Sequence, residues 1–276
     1  MTDNLWDKLN ATVTARSDIA PGLCVLRVEA DGDLFPFIAG QYCVLGLPPD
    51  ARRVESAEPE EPRDEKQRKK MIRRAYSIAS SSKENEYLDF YVALVNTGEF
   101  TPRLWALEVG DRIWLGPKAT GLFTLRNVPH DAHLYLLATG TGLAPYISMV
   151  RSDVLDDATP RTIVVAHGAR YSWDLGYRKE LESLAREQER FVYVPSITRG
   201  AEDDSWNGMS GYLQDQLANG QLEAASGVSL DPALVHVFLC GNPAMIEAAQ
   251  QVLEDKGFSE WTRKTPDGQI HLEKYW

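Results

Sequence analysis

The sequence is poor in cysteine: Cys24, Cys43 and Cys240 are the three among 276 residues, and no two stand in a CxxC spacing. An odd, scattered set of thiols argues against a disulfide framework and against a zinc or iron–sulfur centre held by four thiolates, so no metal is expected. Any redox chemistry then falls to an organic cofactor. Long apolar runs are also missing. Nothing approaches the roughly 18 uninterrupted residues of a membrane span, and the opening MTDNLWDKLN has neither a basic start nor an apolar stretch. The expectation is a cytoplasmic protein without a membrane partner. Basic charge is the third deficit: 29 Lys and Arg against 40 Asp and Glu leave a net charge of −11, which disfavours non-specific binding to nucleic acid. What is present is ordinary core material, 43% hydrophobic and 25% charged, in a length that suits two domains of roughly 100–150 residues.

The first half reads as strands between turn signals: ATVTARSDI, GLCVLRVEA after Pro21-Gly22, QYCVLGL, RRAYSIAS, EYLDFYVALV and DRIWLGP, with one short helix near TPRLWAL. Short strands at this spacing predict a small antiparallel barrel. From about residue 131 apolar strands alternate with helical stretches: HLYLLA, TIVVAHG before YRKELESLAREQ, FVYVPSITR, and LVHVFLC before PAMIEAAQQVLEDKG. That is the pattern of a parallel α/β sheet. The boundary is placed at NVPHDAH, giving domains over 1–128 and 129–276. Between the third and fourth strands, a charged, Pro-rich insertion at about 50–70 has almost nothing to bury and is expected to be a surface loop. Residues 66–74 then carry Lys66, Arg68, Lys69, Lys70, Arg73 and Arg74 without an acid.

LLATGTGLAP places Thr139, Gly140, Thr141 and Gly142 between an apolar strand and a helix. Small residues there let a backbone approach a pyrophosphate, whose charge suits helix N-terminal amides. A tight strand-to-helix turn would also account for the pattern. A fold that prefers NAD would end its next strand on an acid; here AHGAR ends on Arg170, and the following strand offers Ser196 and Arg199. Together these suit a 2′-phosphate and point to NADP. In RRAYSIAS, Arg74 and Tyr76 share a strand face and Ser77 points the other way. Arginine suits a phosphate and tyrosine suits a flat heterocycle, although a half-buried strand tyrosine explains the same spacing.

RAYS resembles the Arg-x-Tyr-Ser flavin motif of the ferredoxin–NADP reductase family. The resemblance runs through NTGEFTPRL, GPKATGLFTL, ATGTGLAP, VAHGARY, SITR, CGNPAMI and the closing aromatic pair, in the family's order. It extends to the bacterial ferredoxin/flavodoxin–NADP reductases that finish on Tyr-Trp. The resemblance implies an N-terminal FAD-binding antiparallel β-barrel followed by a C-terminal NADP-binding α/β domain, with hydride passing between nicotinamide and flavin N5. It gives the FAD pyrophosphate to Arg74, Phe100 and Thr101, the isoalloxazine to Tyr76 and Ser77, and the nicotinamide pocket to Thr139, Cys240 and Gly241, with Ala75 and Tyr91 also among the cofactor-binding residues. Tyr275 would cover the flavin, Trp276 would stack on the adenine, and Glu273 would donate a proton near N5. Cys240 could equally be a small buried strand residue, and Glu273 a solvated side chain.

Two departures stand out. Related enzymes carry an arginine in the 2′-phosphate pocket where this chain has Tyr212, and the insertion is longer than the family's loop. The implied partners are ferredoxin or flavodoxin, docked on Lys66, Arg68, Lys69, Lys70 and Arg73, with Arg103 beside them. The competing readings are an NAD(P)H-flavin reductase with another acceptor and a non-enzymatic flavoprotein redox sensor.

Overall fold

The computed structural model describes residues 4–152, 154–155 and 161–274. The chain divides into two compact units: residues up to Thr124 with Ile147–Ser152, and Leu125–Tyr146 with the described residues beyond Ser152. In the first, β1 (Ala11–Ala20) turns into β2 (Leu23–Ala30) through Gly22 at φ +81°, a left-handed position that favours glycine. Then come β3 (Tyr42–Leu47), α1 (Glu65–Arg68), β4 (Ile72–Ser77), β5 (Leu88–Ala93), α2 (Thr101–Trp105) and β6 (Arg112–Leu115). All pairings are antiparallel, in the order β4-β3-β6-β1-β2-β5.

The end strands meet where Ile78 bridges Phe90 and the Ala79 N–H donates to the Asp89 carbonyl at 2.8 Å. The sheet therefore closes into a barrel, which removes its edges. Strand alternation fills the interior, with Val13, Leu26, Cys43, Leu45, Phe90 and Ile113 sharing one core. Cys24 and Cys43 are part of that core, and burial pushes the Cys24 thiol up to about 12.

The insertion is more ordered than a bare surface loop. Asp64 opens α1 with a capping box: its carboxylate accepts from the Gln67 N–H at 2.7 Å, and the Gln67 side chain accepts from the Asp64 N–H at 2.9 Å. Backbone bonds tie the segment down, from the Val54 N–H to the Pro102 carbonyl at 3.1 Å and from the Glu58 N–H to the Asn96 carbonyl at 3.0 Å. Residues 50–70 are mostly exposed, as a surface loop is, and Glu65–Arg68 is the regular element within them. Salt bridges add to those bonds in a segment that buries little apolar surface.

The second unit runs β7 (His133–Thr139), the start of α3 (Ala144–Arg151, whose residues from Ile147 are assigned to the first unit), β8 (Ile163–Ala169), α4 (Arg178–Glu187), β9 (Phe191–Ile197), β10 (Met209–Ser210), α5 (Leu213–Ala218), α6 (Gln221–Ser226), β11 (Val235–Gly241), α7 (Pro243–Asp255) and β12 (Ile270–Lys274). Its sheet is parallel throughout, in the order β10-β9-β8-β7-β11-β12. The central strands are buried on both faces, as a parallel sheet flanked by helices requires. Strand order reverses between β7 and β11, and the carboxyl ends at such a switch point form the crevice where doubly wound sheets take ligands. No helix among the described residues is long and apolar enough to cross a membrane.

Candidate functional site

In the barrel unit, β4 carries the Arg-x-Tyr-Ser residues. Tyr76 is opposite Cys43 and Arg74 opposite Leu45 in the β3–β4 register. Tyr76 is half-buried, with Phe100 5.9 Å away between ring centroids and tilted by 43°. Burial raises its phenol far above the usual range, which keeps the ring neutral. Ala75 is exposed, Ser77 is 5% exposed and Tyr91 is 3% exposed on β5. Phe100 caps α2 and is itself buried. The Thr101 hydroxyl donates to the Val95 carbonyl and accepts from the Val95 N–H, each at 3.1 Å. That hydroxyl is thus engaged within the loop; Pro102 carries no N–H, and the Arg103 and Leu104 N–H groups donate to the Phe100 carbonyl at 3.0 and 2.9 Å, so the backbone amides that bear on an anion here are those of Phe100 and Thr101.

Arg74 is solvent-accessible, and its guanidinium pairs with Glu99 at 2.7 Å. Glu99 also pairs with Arg63 of the insertion at 2.5 Å. A second carboxylate, Glu60, meets Arg103 through two contacts of 2.5 and 2.7 Å and has Arg63 at 3.6 Å and Arg53 at 3.7 Å. Arg103 is 3% exposed and also donates to the Pro49 and Glu99 carbonyls. It is a structural clasp for the insertion and is not available for docking. Of the expected dock, Lys69 pairs with Glu65, Arg68 donates to the Arg63 carbonyl and Arg73 lies 4.1 Å over the Trp114 ring. Lys66 and Lys70 are exposed on and beside α1.

In the α/β unit, Thr139 ends β7, and Gly140–Leu143 form a 3-10 turn before α3. Gly140 has φ +54°, and a side chain on Gly142 would meet the Cys240 carbonyl oxygen at 2.4 Å. The turn between them thus lies against the end of β11. The Thr139 hydroxyl accepts from the Asn242 N–H at 2.8 Å, and Gly241 (φ +124°) sits where a Cβ would strike Thr139. Cys240 is fully buried and is the register partner of both Ala138 on β7 and Glu273 on β12. Thr139, Gly140, Gly142, Cys240 and Gly241 are thus brought together at the switch point, with Thr141 in the same turn.

Arg170 follows β8 and is exposed; its carbonyl accepts from the Arg199 N–H at 3.0 Å. Arg199 is half exposed, 3.4 Å from both the Tyr171 hydroxyl and Glu202, and Tyr171 donates to Glu202 at 2.8 Å. Tyr171 stacks on Trp173 with ring centroids 4.5 Å apart. Sequence reasoning missed Tyr171, Trp173 and Glu202, although RYSWD shows aromatics directly after Arg170. Ser196 is a correction. It is fully buried, donates to the Gly211 carbonyl at 3.0 Å and accepts from Gln216 at 2.6 Å, so it braces the turn before Tyr212 instead of meeting an anion. Tyr212 itself is 59% exposed at the cap of α5. Tyr275 and Trp276 lie outside the described residues.

Residues 136–251 match the oxidoreductase NAD-binding domain family. The chain is 32% identical to the flavodoxin/ferredoxin–NADP reductase of Escherichia coli (strain K12), covering 98% of this chain and 99% of that one. It is 34% identical to ferredoxin–NADP reductase A of Sorangium cellulosum (strain So ce56), over 87% of this chain and 80% of the relative. Among solved structures, a ferredoxin NADP+ reductase from Neisseria gonorrhoeae with bound FAD and NADP superposes with a TM-score of 0.78 at 25% identity, covering 98% of this chain and 99% of that one.

Proposed function

This chain belongs to the flavodoxin/ferredoxin–NADP reductase family, and on that premise we propose that it is an FAD-dependent oxidoreductase passing electrons between NADP(H) and ferredoxin or flavodoxin. The observation that carries the reading is the pairing of an Arg-x-Tyr-Ser strand on the barrel with a glycine turn at the switch point of the α/β sheet. The residues fit the groups. The arginines around Arg74 outnumber their carboxylates, and in the glycine turn Gly140 has open space where a side chain would stand, while Gly142 packs against the end of β11. FAD supplies the conversion between a two-electron hydride at N5 and single electrons.

The chain's own groups bind and orient. Arg74 and the backbone amides of Phe100 and Thr101 hold pyrophosphate, while Tyr76 gives an uncharged ring to one flavin face. The Gly140–Gly142 turn admits the NADP(H) pyrophosphate, and Thr139, Cys240 and Gly241 shape the nicotinamide pocket. Arg170 and Arg199 favour a 2′-phosphate, with Tyr212 beside them in place of a third arginine. Tyr275 is assigned to shielding the flavin, Trp276 to stacking on the adenine, and Glu273 to holding a proton near N5. Lys66 and Lys70 are the exposed cations for an acidic acceptor protein.

Stopped-flow absorbance of the flavoprotein mixed with NADPH or with NADH tests this. Rapid bleaching with a strong NADPH advantage, followed by reduction of ferredoxin or flavodoxin, is expected. Turnover with dyes but with neither protein would point to a reductase with another acceptor, and a yellow protein that neither nucleotide reduces would point to a sensor.

A further inference from the structure

Four guanidiniums, Arg53, Arg63, Arg74 and Arg103, share two carboxylates, Glu60 and Glu99, in one chain of contacts. Formal charges of +4 and −2 leave a local surplus of two positive charges. The surplus is not simply dissolved in water: the side chains of Arg53, Arg63 and Arg103 are 19%, 16% and 3% exposed. The Nε atoms of Arg53 and Arg63 are buried without a hydrogen-bond partner. Partly desolvated cations in excess call for an anion, and one with two negative charges would balance the cluster. Arg74 is its accessible end, at 52% exposure.

Glu99 joins that end to the insertion. One of its oxygens is 2.7 Å from Arg74 and the other 2.5 Å from Arg63, so the two guanidiniums face a single carboxylate. Any phosphate oxygen that accepts from Arg74 therefore arrives within reach of the Arg63 charge and against the charge of Glu99. Arg63 in turn is held by Glu60, which Arg103 clamps against α2.

We propose that the insertion completes the flavin-phosphate site: Arg63 supplies a second guanidinium for the FAD pyrophosphate beside Arg74, and Glu99, gripped by both, is the internal anion with which that pyrophosphate competes. The inference rests on the reading of Arg74 as the FAD pyrophosphate ligand. It gives the insertion a binding role distinct from docking a partner. It also assigns opposite signs to two neighbouring residues, since removing Arg63 takes away attraction and removing the Glu99 charge takes away competition.

The test is titration of FAD into apoprotein prepared from the wild type, Arg63→Ala, Arg63→Lys and Glu99→Gln, read by quenching of flavin fluorescence at low and at high salt. Arg63→Ala is expected to raise the FAD Kd about tenfold at low salt, with the deficit shrinking as salt screens the missing charge. Arg63→Lys should recover part of the loss, and Glu99→Gln should bind FAD more tightly than the wild type. If Arg63→Ala does not fold, the Lys and Gln variants carry the test through the sign of the Glu99→Gln effect. Wild-type affinity in Arg63→Ala, or weakening by both substitutions with no salt dependence, would overturn the proposal. A wild-type apoprotein that binds no FAD would instead remove the functional reading beneath it.

Discussion

Ser196 and Arg199 lie three positions apart at the end of β9, yet one is fully enclosed and the other half exposed. The enclosed hydroxyl holds Gln216 and the Gly211 carbonyl, so Ser196→Ala leaves a buried amide without its acceptor and should cost about 1–3 kcal/mol in urea unfolding. Its NADPH affinity should stay near that of the wild type. Arg199→Ala should do the reverse, leaving stability almost unchanged while raising the Kd for NADPH about tenfold, the value of one charged hydrogen bond, and leaving that for NADH unmoved. Affinity measurements on both variants check the pair, and the opposite pattern would return Ser196 to the anion site. At this scale the sequence showed which residue types could meet an anion. It could not show which were already committed: Thr101 to Val95 depends on the conformation of one loop, and Ser196 to Gln216 and Arg103 to Glu60 are tertiary pairings with no local spacing.

β12 shows the same limit for a whole element. Its residues end a chain and read as a tail, but they pair in parallel with β11 from Val237↔Ile270 to Gly241↔Lys274. On these strands His236 Nδ1 lies 3.0 Å from His271 Nε2, and the His271 ring stacks on Phe238 at 4.2 Å and Trp261 at 5.6 Å. Burial lowers both imidazole pKa values, with His271 reaching about 3. Below the ordinary imidazole range, near pH 6.5, the unfolded chain therefore takes up protons that the folded chain refuses, and stability falls as pH falls toward 3. His271 alone should remove about 2 kcal/mol between pH 7 and pH 5. Urea unfolding of the wild type and His271→Phe at the two pH values checks this, because the variant should lose less on acidification. The six barrel strands and the strand–helix alternation beyond them were legible, since period-two burial and turn residues mark them. β10, α5 and α6 are short and carry too little pattern, and α1 was announced only by the Asp64–Gln67 spacing of its capping box.

For the whole molecule, a net charge of −11 repels an acidic acceptor protein at long range, so productive encounter needs a local basic surface. The structure narrows the six bases of residues 66–74, because Lys69, Arg68, Arg73 and Arg74 are engaged within the barrel unit. Lys66→Glu with Lys70→Glu should lower kcat/KM for ferredoxin about tenfold at low salt, with the difference closing as salt is raised. Turnover of NADPH with a small dye should be unchanged. Steady-state assays with the two acceptors check this, and equal ferredoxin kinetics at low salt would remove α1 from the docking surface.

The sequence by itself determined the antiparallel barrel and the parallel α/β sheet, because hydrophobic period, glycine turns and contiguous motifs are local properties of a chain. Tertiary structure decided which polar groups are free. Hydrogen bonds and ion pairs between segments far apart in sequence hold Ser196 and Arg103 inside, tie Arg63 to Arg74 through Glu99, and make the end of β12 a strand beside β11. Those commitments depend on distance in space, which residue order does not encode locally.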